Sequence, residues 1–282
     1  MKVLITGANS GFGLLTAQTF ARAGHQVFAG YRSPERSTEL LQMGQNGELT
    51  PVRLDVDDQA SVDAAVAAAS EGGAVDILVN NAGYEVAGPV EQVSPEDLRR
   101  QFETNVVGPL RLIRAVVPAM RERGSGVIVN ITSTAGIVTL PFAGAYGASK
   151  HALEALSESL WYELQPFGVR VAIVEPGGFD TNFGANIARV TGFDESSPYW
   201  ENANRFGQAL ANLGGASAGN DPQQVADAVF VAATTTEPQL RYPVGGDAEV
   251  FLPLYRQHSF EQFSSTGLSQ LGLSDWLGKA SA

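Results

Sequence analysis

Short apolar runs that alternate with helical stretches constrain this chain more than any other feature of its sequence. The runs are nearly continuous in apolar residues, which fits parallel strands buried on both faces beneath helices. Strands that alternate with helices form βαβ units. The sequence therefore predicts an α/β fold with a doubly wound parallel sheet in a three-layer αβα arrangement. The predicted strands are residues 3–6, 26–29, 52–54, 77–80, 127–132 and 169–175.

The helical stretches and the chain length predict a single domain, because α/β folds of 282 residues regularly form one core. The predicted helices are residues 12–23, 58–70, 95–103, 108–123, 148–165 and 222–233. Two segments break the alternation. Residues 179–220, rich in glycine, asparagine, serine and aromatic residues, predict a substrate lid, and residues 256–282 form a weakly patterned C-terminal extension.

Composition excludes several classes of function. Hydrophobic residues make up 44% of the chain, yet no apolar run is long enough to cross a bilayer. A formal charge of −12 disfavours nucleic acid and anionic membranes as partners. The absence of cysteine excludes thiol chemistry, and three scattered histidines predict no metal site. The first residues enter a strand pattern directly, without a leader pattern, so we expect a cytoplasmic protein.

A glycine-rich loop, Thr-Gly-Ala-Asn-Ser-Gly-Phe-Gly at residues 6–13, follows the first predicted strand and opens the first predicted helix. Gly7 permits a tight turn, Gly11 lets the backbone approach a pyrophosphate, and Gly13 lets helix and strand pack closely. The N-terminus of the helix supplies free N–H donors for an anion. This context predicts a dinucleotide-binding loop, whereas the glycines alone would also fit an ordinary βα turn.

Three polar residues indicate acid–base chemistry. Tyr146 and Lys150 are four residues apart, so on a helix they share one face. A phenol titrates near pH ~10, and a neighbouring cation lowers its pKa by favouring the phenolate. Alone, the pair also fits a packed ring beside a solvated charge. Ser133 changes this balance because it ends the fifth predicted strand, where open α/β sheets bind ligands.

Several motifs in this order resemble the short-chain dehydrogenase/reductase family. The chain has the spacing Gly-x-x-x-Gly-x-Gly, then Asn-Asn-Ala-Gly at 80–83, Tyr-x-x-x-Lys at 146–150 and Pro-Gly-x-x-x-Thr at 176–181. Asn105 interrupts what would otherwise be one long helix and matches the catalytic asparagine of the family. The resemblance covers roughly residues 1–255 and implies a Rossmann-type fold. The segments 176–179 and 241–245 look like those of a hydroxysteroid-dehydrogenase-like bacterial branch.

The resemblance implies an oxidoreductase that interconverts a ketone or aldehyde and the corresponding alcohol with a nicotinamide cofactor. Ser133 would hydrogen-bond the substrate carbonyl, and Tyr146 would act as the general acid or base. Lys150 would hold the nicotinamide ribose and tune Tyr146, and Asn105 would hold a water molecule that links Lys150 to solvent. Relatives are commonly dimers or tetramers, so a homodimer or homotetramer is expected, with helix 148–165 as a pairing element.

The cofactor residues expected from the motifs lie at the ends of several predicted strands. At the end of the second strand, Tyr31 occupies the position that is usually acidic in the family, and Arg32 occupies its NADP-selecting position. NADP is therefore predicted, and NAD is the less favoured alternative. Besides these two and the catalytic Tyr146 and Lys150, the expected cofactor-binding set is Gly7, Asn9, Ser10, Gly11, Phe12, Gly13, Asp55, Val56, Asn81, Ala82, Gly83, Pro176, Gly177, Phe179 and Thr181.

Alternative functions and the substrate site remain open at this level. A catalytically silent dinucleotide-sensing regulator would keep the fold, but the four catalytic residues argue against it. The Gly-x-Ser-x-Gly pattern around Ser217 resembles a hydrolase nucleophile, although no strand precedes it. Aromatic residues that could either form the walls of a substrate pocket or pack the lid onto the body are Phe142, Phe183, Phe193, Tyr199 and Trp200.

Overall fold

The computed structural model describes residues 1–212 and 220–277 of the chain. Its strands occur where short runs of β-branched and other apolar residues are bounded by turns. In chain order they are β1 Lys2–Ile5, β2 Gln26–Tyr31, β3 Thr50–Arg53, β4 Ile77–Asn80, β5 Val86–Ala87, β6 Gly126–Ile131, β7 Val169–Pro176, β8 Ala188–Arg189 and β9 Arg241–Val244.

The helices follow the strands and cover the sheet. In chain order they are α1 Gly11–Arg22, α2 Thr38–Gln45, α3 Gln59–Ala69, α4 Pro95–Phe102, α5 Gly108–Arg123, α6 Gly144–Leu164, α7 Asn182–Ala185, α8 Trp200–Asn212, α9 Gln223–Thr234, α10 Gly246–Gln257 and α11 Phe260–Gln270.

A central sheet of seven parallel strands organises the molecule, in the order β3-β2-β1-β4-β6-β7-β9. The chain moves from β1 outward to β3 and then returns to the other side of β1 with β4. The order therefore reverses between β1 and β4, which is the point where open α/β sheets bind ligands beyond the carboxyl ends of their strands. A separate two-stranded parallel sheet joins β5 to β8.

Two apolar layers hold the helices against the central sheet, because successive side chains of a strand point to opposite faces. Val3 and Ile5 pack with the layer formed by α1 and α9, which includes Phe20. Leu4 packs with the opposite layer, which includes Leu112 of α5. All of these side chains are fully buried. The predicted α/β class with a doubly wound, three-layer sheet is confirmed.

The structure contains several elements that the sequence did not predict, among them α2, β5 and β8. The strand β9 was not predicted, although it completes the sheet beside β7. The helix α6 begins at Gly144 rather than at residue 148, so Tyr146 lies in its first turn. The expected C-terminal extension begins inside α10 and continues through α11. Residues 213–219 of the expected lid, with Ser217, and residues 278–282 lie outside the described residues.

No helix within the described ranges combines the length and the apolar character that a membrane span requires.

Candidate active site

One large cleft, of about 1750 Å³, opens beyond the carboxyl ends of the parallel strands. We call it the central cleft; it is lined by the loops that follow β1, β2, β3, β4, β6 and β7 together with residues of α8, α10 and α11. Pockets for single drug-sized ligands measure about 300–1,000 Å³. The central cleft therefore has room for two ligands side by side.

The glycine loop forms the part of the central cleft nearest to the switch point of the sheet. Gly7 has a φ of +64°, and a Cβ there would lie 2.9 Å from the Ala82 Cα. A Cβ on Gly13 would lie 2.3 Å from the Gly7 carbonyl oxygen, so the first turn of α1 packs directly on the loop. At Gly11, by contrast, the nearest atom to an added Cβ is the Thr181 Cβ, at 3.8 Å. This open space lies at the N-terminus of α1, where N–H groups attract anions.

The loop after β4 is fixed against the glycine loop by hydrogen bonds. The Thr6 hydroxyl accepts from the backbone N–H groups of Asn81 and Ala82, both at 2.9 Å. In return, the Asn81 side-chain amide donates to the carbonyl oxygens of Thr6 and Gly7 at 2.9 and 3.0 Å. These bonds hold Asn81, Ala82 and Gly83 along the floor of the central cleft.

Basic residues line the far end of the central cleft, beside the loops after β2 and β3. Arg32, Asp55 and Val56, which the sequence analysis assigns to the cofactor, all line this end. Tyr31 does not line the cleft, because its ring packs against the apolar layer of α1. Arg36 lines it as well, in a short 3-10 turn after β2. The motifs gave no signal for Arg36 because it lies beyond the position at which the family motif is compared.

Tyr146, Ser133 and Lys150 meet at the other end of the central cleft. The Ser133 hydroxyl lies beside the Tyr146 phenol, whose pKa it lowers, and it donates to the Pro176 carbonyl oxygen at 3.4 Å. The Lys150 Nζ lies 5.7 Å from the centre of the Tyr146 ring and donates to the Ile131 carbonyl oxygen at 2.9 Å. The fold therefore brings these three residues together in one cluster, between the end of β6 and the start of α6.

Burial dominates the protonation of this cluster. It raises the pKa of the Tyr146 phenol above its ordinary value, against the effect of the Ser133 hydroxyl, and the charge of Glu85 raises it further. Burial lowers the pKa of the Lys150 ammonium to about 8, while Glu154 acts in the opposite direction. The sequence analysis expected Lys150 to lower the pKa of Tyr146. In the structure, desolvation of the phenol outweighs any such effect, and the phenol stays protonated at neutral pH.

Asn105 lies behind the central cleft rather than on its surface. It sits in a π-helical turn, Glu103–Val107, that separates α4 from α5, so the expected helix interruption is present. Its side chain donates to the Tyr84 carbonyl oxygen at 3.0 Å and to the Ser149 hydroxyl at 3.1 Å, and it accepts from the Tyr84 N–H at 3.2 Å. Asn105 therefore ties α6 to the loop after β4. A Cβ on Gly83 would lie 3.2 Å from its Oδ1.

The loop after β7 closes the remaining side of the central cleft. Pro176, Gly177, Phe179 and Thr181 all line it, as do Asn9, Ser10 and Phe12 from the glycine loop. The rings of Phe12 and Phe179 meet edge to face, with centroids 5.4 Å apart. The Gly178 N–H donates to a carboxylate oxygen of Asp247 at 2.6 Å, which anchors this loop to α10.

Comparison with known proteins agrees with this geometry. The short chain dehydrogenase family model matches residues 1–191. The chain belongs to the short-chain dehydrogenase family. An uncharacterized oxidoreductase of Bacillus subtilis, YusZ, is 37% identical over 252 residues, which cover 86% of this chain and 88% of the relative. A 3-ketodihydrosphingosine reductase of Bacteroides thetaiotaomicron is 39% identical over 196 residues, covering 68% of this chain and 70% of the relative.

Solved structures of the family superpose over most of the chain. A short-chain dehydrogenase from Streptomyces avermitilis has a TM-score of 0.79 at 38% identity, covering 96% of both chains. An alcohol dehydrogenase from Thermococcus sibiricus, complexed with 5-hydroxy-NADP, has a TM-score of 0.69 at 26% identity, covering 86% of this chain and 95% of its own. A short-chain dehydrogenase/reductase from Burkholderia phymatum, in complex with NAD, has a TM-score of 0.76 at 26% identity, covering 95% of this chain and 94% of its own. These neighbours support a nicotinamide dinucleotide cofactor for this short-chain dehydrogenase.

The expected aromatic walls of this short-chain dehydrogenase divide into two groups. Phe142 and Phe183 line the central cleft, and the Phe183 ring lies 5.8 Å from that of Tyr146. The other three, Phe193, Tyr199 and Trp200, belong to the packing of the expected lid instead. Phe193 and Trp200 are in contact with ring centroids 5.4 Å apart, and the Tyr199 hydroxyl is hydrogen-bonded to Glu91.

The apolar walls that the sequence analysis missed come from α8, α10 and α11. These helices lie far from the motifs in sequence, and their burial depends on how the end of the chain folds back over the central cleft. The added apolar lining residues are Phe206, Leu210, Phe251, Phe260, Phe263, Leu268 and Leu271. Across residues 1–212 and 220–277, no three histidine, aspartate or glutamate side chains gather to form a metal site.

Proposed function

We propose that this short-chain dehydrogenase is an NADP(H)-dependent enzyme that reduces a ketone or aldehyde to an alcohol, with Tyr146 as the general acid. The observation that carries the proposal is the cluster of Ser133 and Tyr146 on the wall of the central cleft, with Lys150 beside the phenol ring. A general acid must be protonated before it reacts. The raised pKa of Tyr146 meets this requirement.

The residues of the central cleft suit a dinucleotide that runs from the loop after β2 to Tyr146. Gly11 leaves the N-terminus of α1 open to a pyrophosphate, and the Ser10 side chain makes no capping bond there. Arg32 and Arg36 line the end of the central cleft beside the loop after β2 and would bind a ribose phosphate there, because guanidinium groups bind phosphates well; Arg36 also donates to Asn186 Oδ1 at 3.1 Å. This pair of arginines supports NADP over NAD.

The chemistry needs few groups from the protein. When bound, the reduced nicotinamide supplies a hydride to the carbonyl carbon. Ser133 would hold the carbonyl oxygen by a hydrogen bond, and Tyr146 would donate its proton to that oxygen as negative charge develops. The C=O bond thus becomes a CH–OH group, and the reverse sequence oxidises an alcohol. Lys150 would hold the ribose hydroxyls next to Tyr146, and Asn105 would position α6.

Activity assays test the proposal directly. We expect the protein to oxidise NADPH in the presence of suitable carbonyl compounds, followed by absorbance, with a higher catalytic efficiency for NADPH than for NADH. The 3-ketodihydrosphingosine for which the Bacteroides relative is named is the first ketone to assay. A clear preference for NADH would contradict the role given to Arg32.

A single substitution tests the role of Tyr146. Tyr146→Phe removes only the hydroxyl group, so cofactor binding should stay within about threefold of the original while turnover falls by about 10²–10⁴-fold. NADPH binding can be followed by fluorescence titration and turnover by absorbance. Substantial activity in this variant would refute the proposed role. The cytoplasmic location and the homodimeric or homotetrameric state expected from the sequence stay predictions.

A further inference from the structure

Glu85 lines the central cleft without a role in the chemistry proposed above. It follows Tyr84 in the loop after β4, and its carbonyl oxygen accepts from the Ala188 N–H at 2.8 Å, which joins β5 to β8. Among the described residues, no lysine or arginine forms an ion pair with its carboxylate, and no hydrogen bond engages it. The side chain is therefore a negative group on the wall of the central cleft with no partner in the part of the chain that the structure describes.

The position of Glu85 relative to Tyr146 limits what it can contact. Val86, the residue after Glu85, packs in one buried cluster with Ala145, the residue before Tyr146, so the two segments lie side by side, and the charge of Glu85 raises the pKa of the Tyr146 phenol. Burial alone raises the pKa of Glu85, which means that its ionised form is poorly solvated where it stands. A partly buried carboxylate is stabilised by a cation or a hydrogen-bond donor. A substrate whose carbonyl reaches Tyr146 can supply that group from a neighbouring atom.

Another part of the central cleft offers a different chemistry. There the lining is apolar and aromatic, formed by Phe142 and by residues of α8 and α11 such as Phe206 and Phe263. The rings of Phe142 and Phe206 lie 6.1 Å apart, and both pack on Trp276. Covering this surface with the apolar part of a ligand is favourable, and the described lining residues of α8 and α11 include no charged side chain that could bind a second polar group.

We propose that the substrate is a long-chain amino ketone, with an ammonium group on the carbon next to the carbonyl and an apolar chain. Glu85 binds the ammonium group, Ser133 and Tyr146 contact the carbonyl oxygen, and the apolar chain lies between α8 and α11. This inference rests on the proposed carbonyl reduction and adds a substrate class to it. The ammonium group keeps its proton, so the hydride and the Tyr146 proton are still the only groups transferred.

Three ketones test the inference with one variant and one control. They are 3-ketodihydrosphingosine, its N-acetyl derivative, which is neutral, and a plain alkanone of the same chain length. Glu85→Gln removes the charge but keeps the shape of the side chain. The matched control is Glu195→Gln, because Glu195 is an exposed glutamate of the expected lid and does not line the central cleft. Values of kcat/KM with NADPH are measured for each pair of protein and ketone.

We expect the unaltered protein to prefer the ammonium-bearing ketone by at least tenfold. Glu85→Gln should lower kcat/KM for this ketone by about 10- to 100-fold, the range of a charge-assisted hydrogen bond. The two neutral ketones should change by less than about threefold in the same variant, and Glu195→Gln should leave all three values unchanged. If Glu85→Gln lowers kcat/KM equally for all three ketones, Glu85 has a general structural role and the proposal is overturned. Equal kcat/KM values of the unaltered protein for the charged and the neutral ketones would also overturn it.

A binding measurement separates this inference from the proposed function. Calorimetry with NADP-saturated protein measures the affinity for dihydrosphingosine, the corresponding amino alcohol, and needs no turnover. Binding that weakens about 10- to 100-fold in Glu85→Gln supports the ammonium site even if no ketone is reduced. Equal binding by both proteins overturns it even if neutral ketones are reduced. Equal thermal midpoints for the two proteins show that the variant is folded.

Discussion

Replacing Arg241 by methionine should lower the free energy of unfolding more than replacing an arginine that forms an ion pair on the surface. Arg241 is the first residue of β9, and its guanidinium binds Glu154 and Glu158 on α6 as well as Glu175 at the end of β7. The distance from Arg241 Nη1 to Glu175 Oε1 is 2.7 Å. The side chains of Glu154 and Glu175 are only 6% and 1% exposed. Arg241 is thus the cation shared by two buried carboxylates.

The expected cost follows from what the substitution leaves behind. Methionine keeps much of the apolar stem of Arg241 but removes the charge, so Glu154 and Glu175 lose their shared partner. Each of them already has one carboxylate oxygen without a hydrogen-bond partner. Removing one partner of a buried ion pair costs about 3–5 kcal/mol. At about 2–4 °C per kcal/mol, the thermal midpoint should fall by roughly 6–20 °C.

The cost should depend on pH in a defined direction. Burial and the charge of Glu154 raise the pKa of Glu175 in the folded protein, and loss of Arg241 removes the main opposing effect. When the pKa of a carboxyl group is higher in the folded than in the unfolded state, ionisation of that group costs the folded state free energy. The cost reaches its full size at pH values above the folded pKa. That cost disappears as the pH falls toward the unfolded pKa of about 4.3. The deficit of Arg241→Met should therefore be larger at pH 8 than at pH 5.

A matched surface variant provides the control. Arg205→Met removes the ion pair with Asp275, whose side chain is 62% exposed, and exposed pairs contribute about 0.2–1 kcal/mol. Urea unfolding of both variants, followed by circular dichroism at pH 8 and pH 5, gives the comparison. The reasoning fails if Arg241→Met costs no more than Arg205→Met, or if its deficit is the same at both pH values.

Three further predictions concern the central cleft. Gly13→Ala should abolish NADPH binding or folding, measured by titration and circular dichroism, because the added Cβ would lie 2.3 Å from the Gly7 carbonyl oxygen. Arg32→Asp should shift the ratio of kcat/KM for NADPH to NADH toward NADH by at least tenfold, and an unchanged ratio would contradict NADP selection by Arg32. Activity should fall as the pH rises through about 8, where the Lys150 ammonium loses its proton. In Glu154→Gln this fall in activity should occur at a lower pH, because Glu154 raises the pKa of Lys150. A fall at the same pH in both pH–rate profiles would contradict the coupling.

The sequence predicts those parts of the site that depend on local geometry. The glycine loop is fixed by its position between β1 and α1, and Tyr146 and Lys150 share a face because they lie on one helix. Ser133 follows β6, and parallel strands bring their carboxyl ends to one edge. Each of these inferences needs only a short segment and the rule that strands alternate with helices.

The remaining features depend on contacts between distant segments. The apolar walls from α8 and α11 require the end of the chain to fold over the central cleft, and no short pattern marks that path. Burial reverses the expected direction of the Tyr146 pKa shift, because desolvation is a property of the packed site and cannot be read from residue spacing. Glu85 shows the same limit, since its lack of a partner among the described residues becomes visible only once the surrounding loops are in place.

The strand that the sequence did not predict, β9, connects stability to the geometry of the site. Its first residue, Arg241, reaches α6 through Glu154, which lies one helical turn after Lys150, and reaches β7 through Glu175, which directly precedes Pro176. The two walls that face each other across the reacting end of the central cleft are therefore held by one guanidinium. In Arg241→Met we accordingly expect kcat/KM with NADPH to fall even where the protein remains folded, and Arg205→Met to retain full activity.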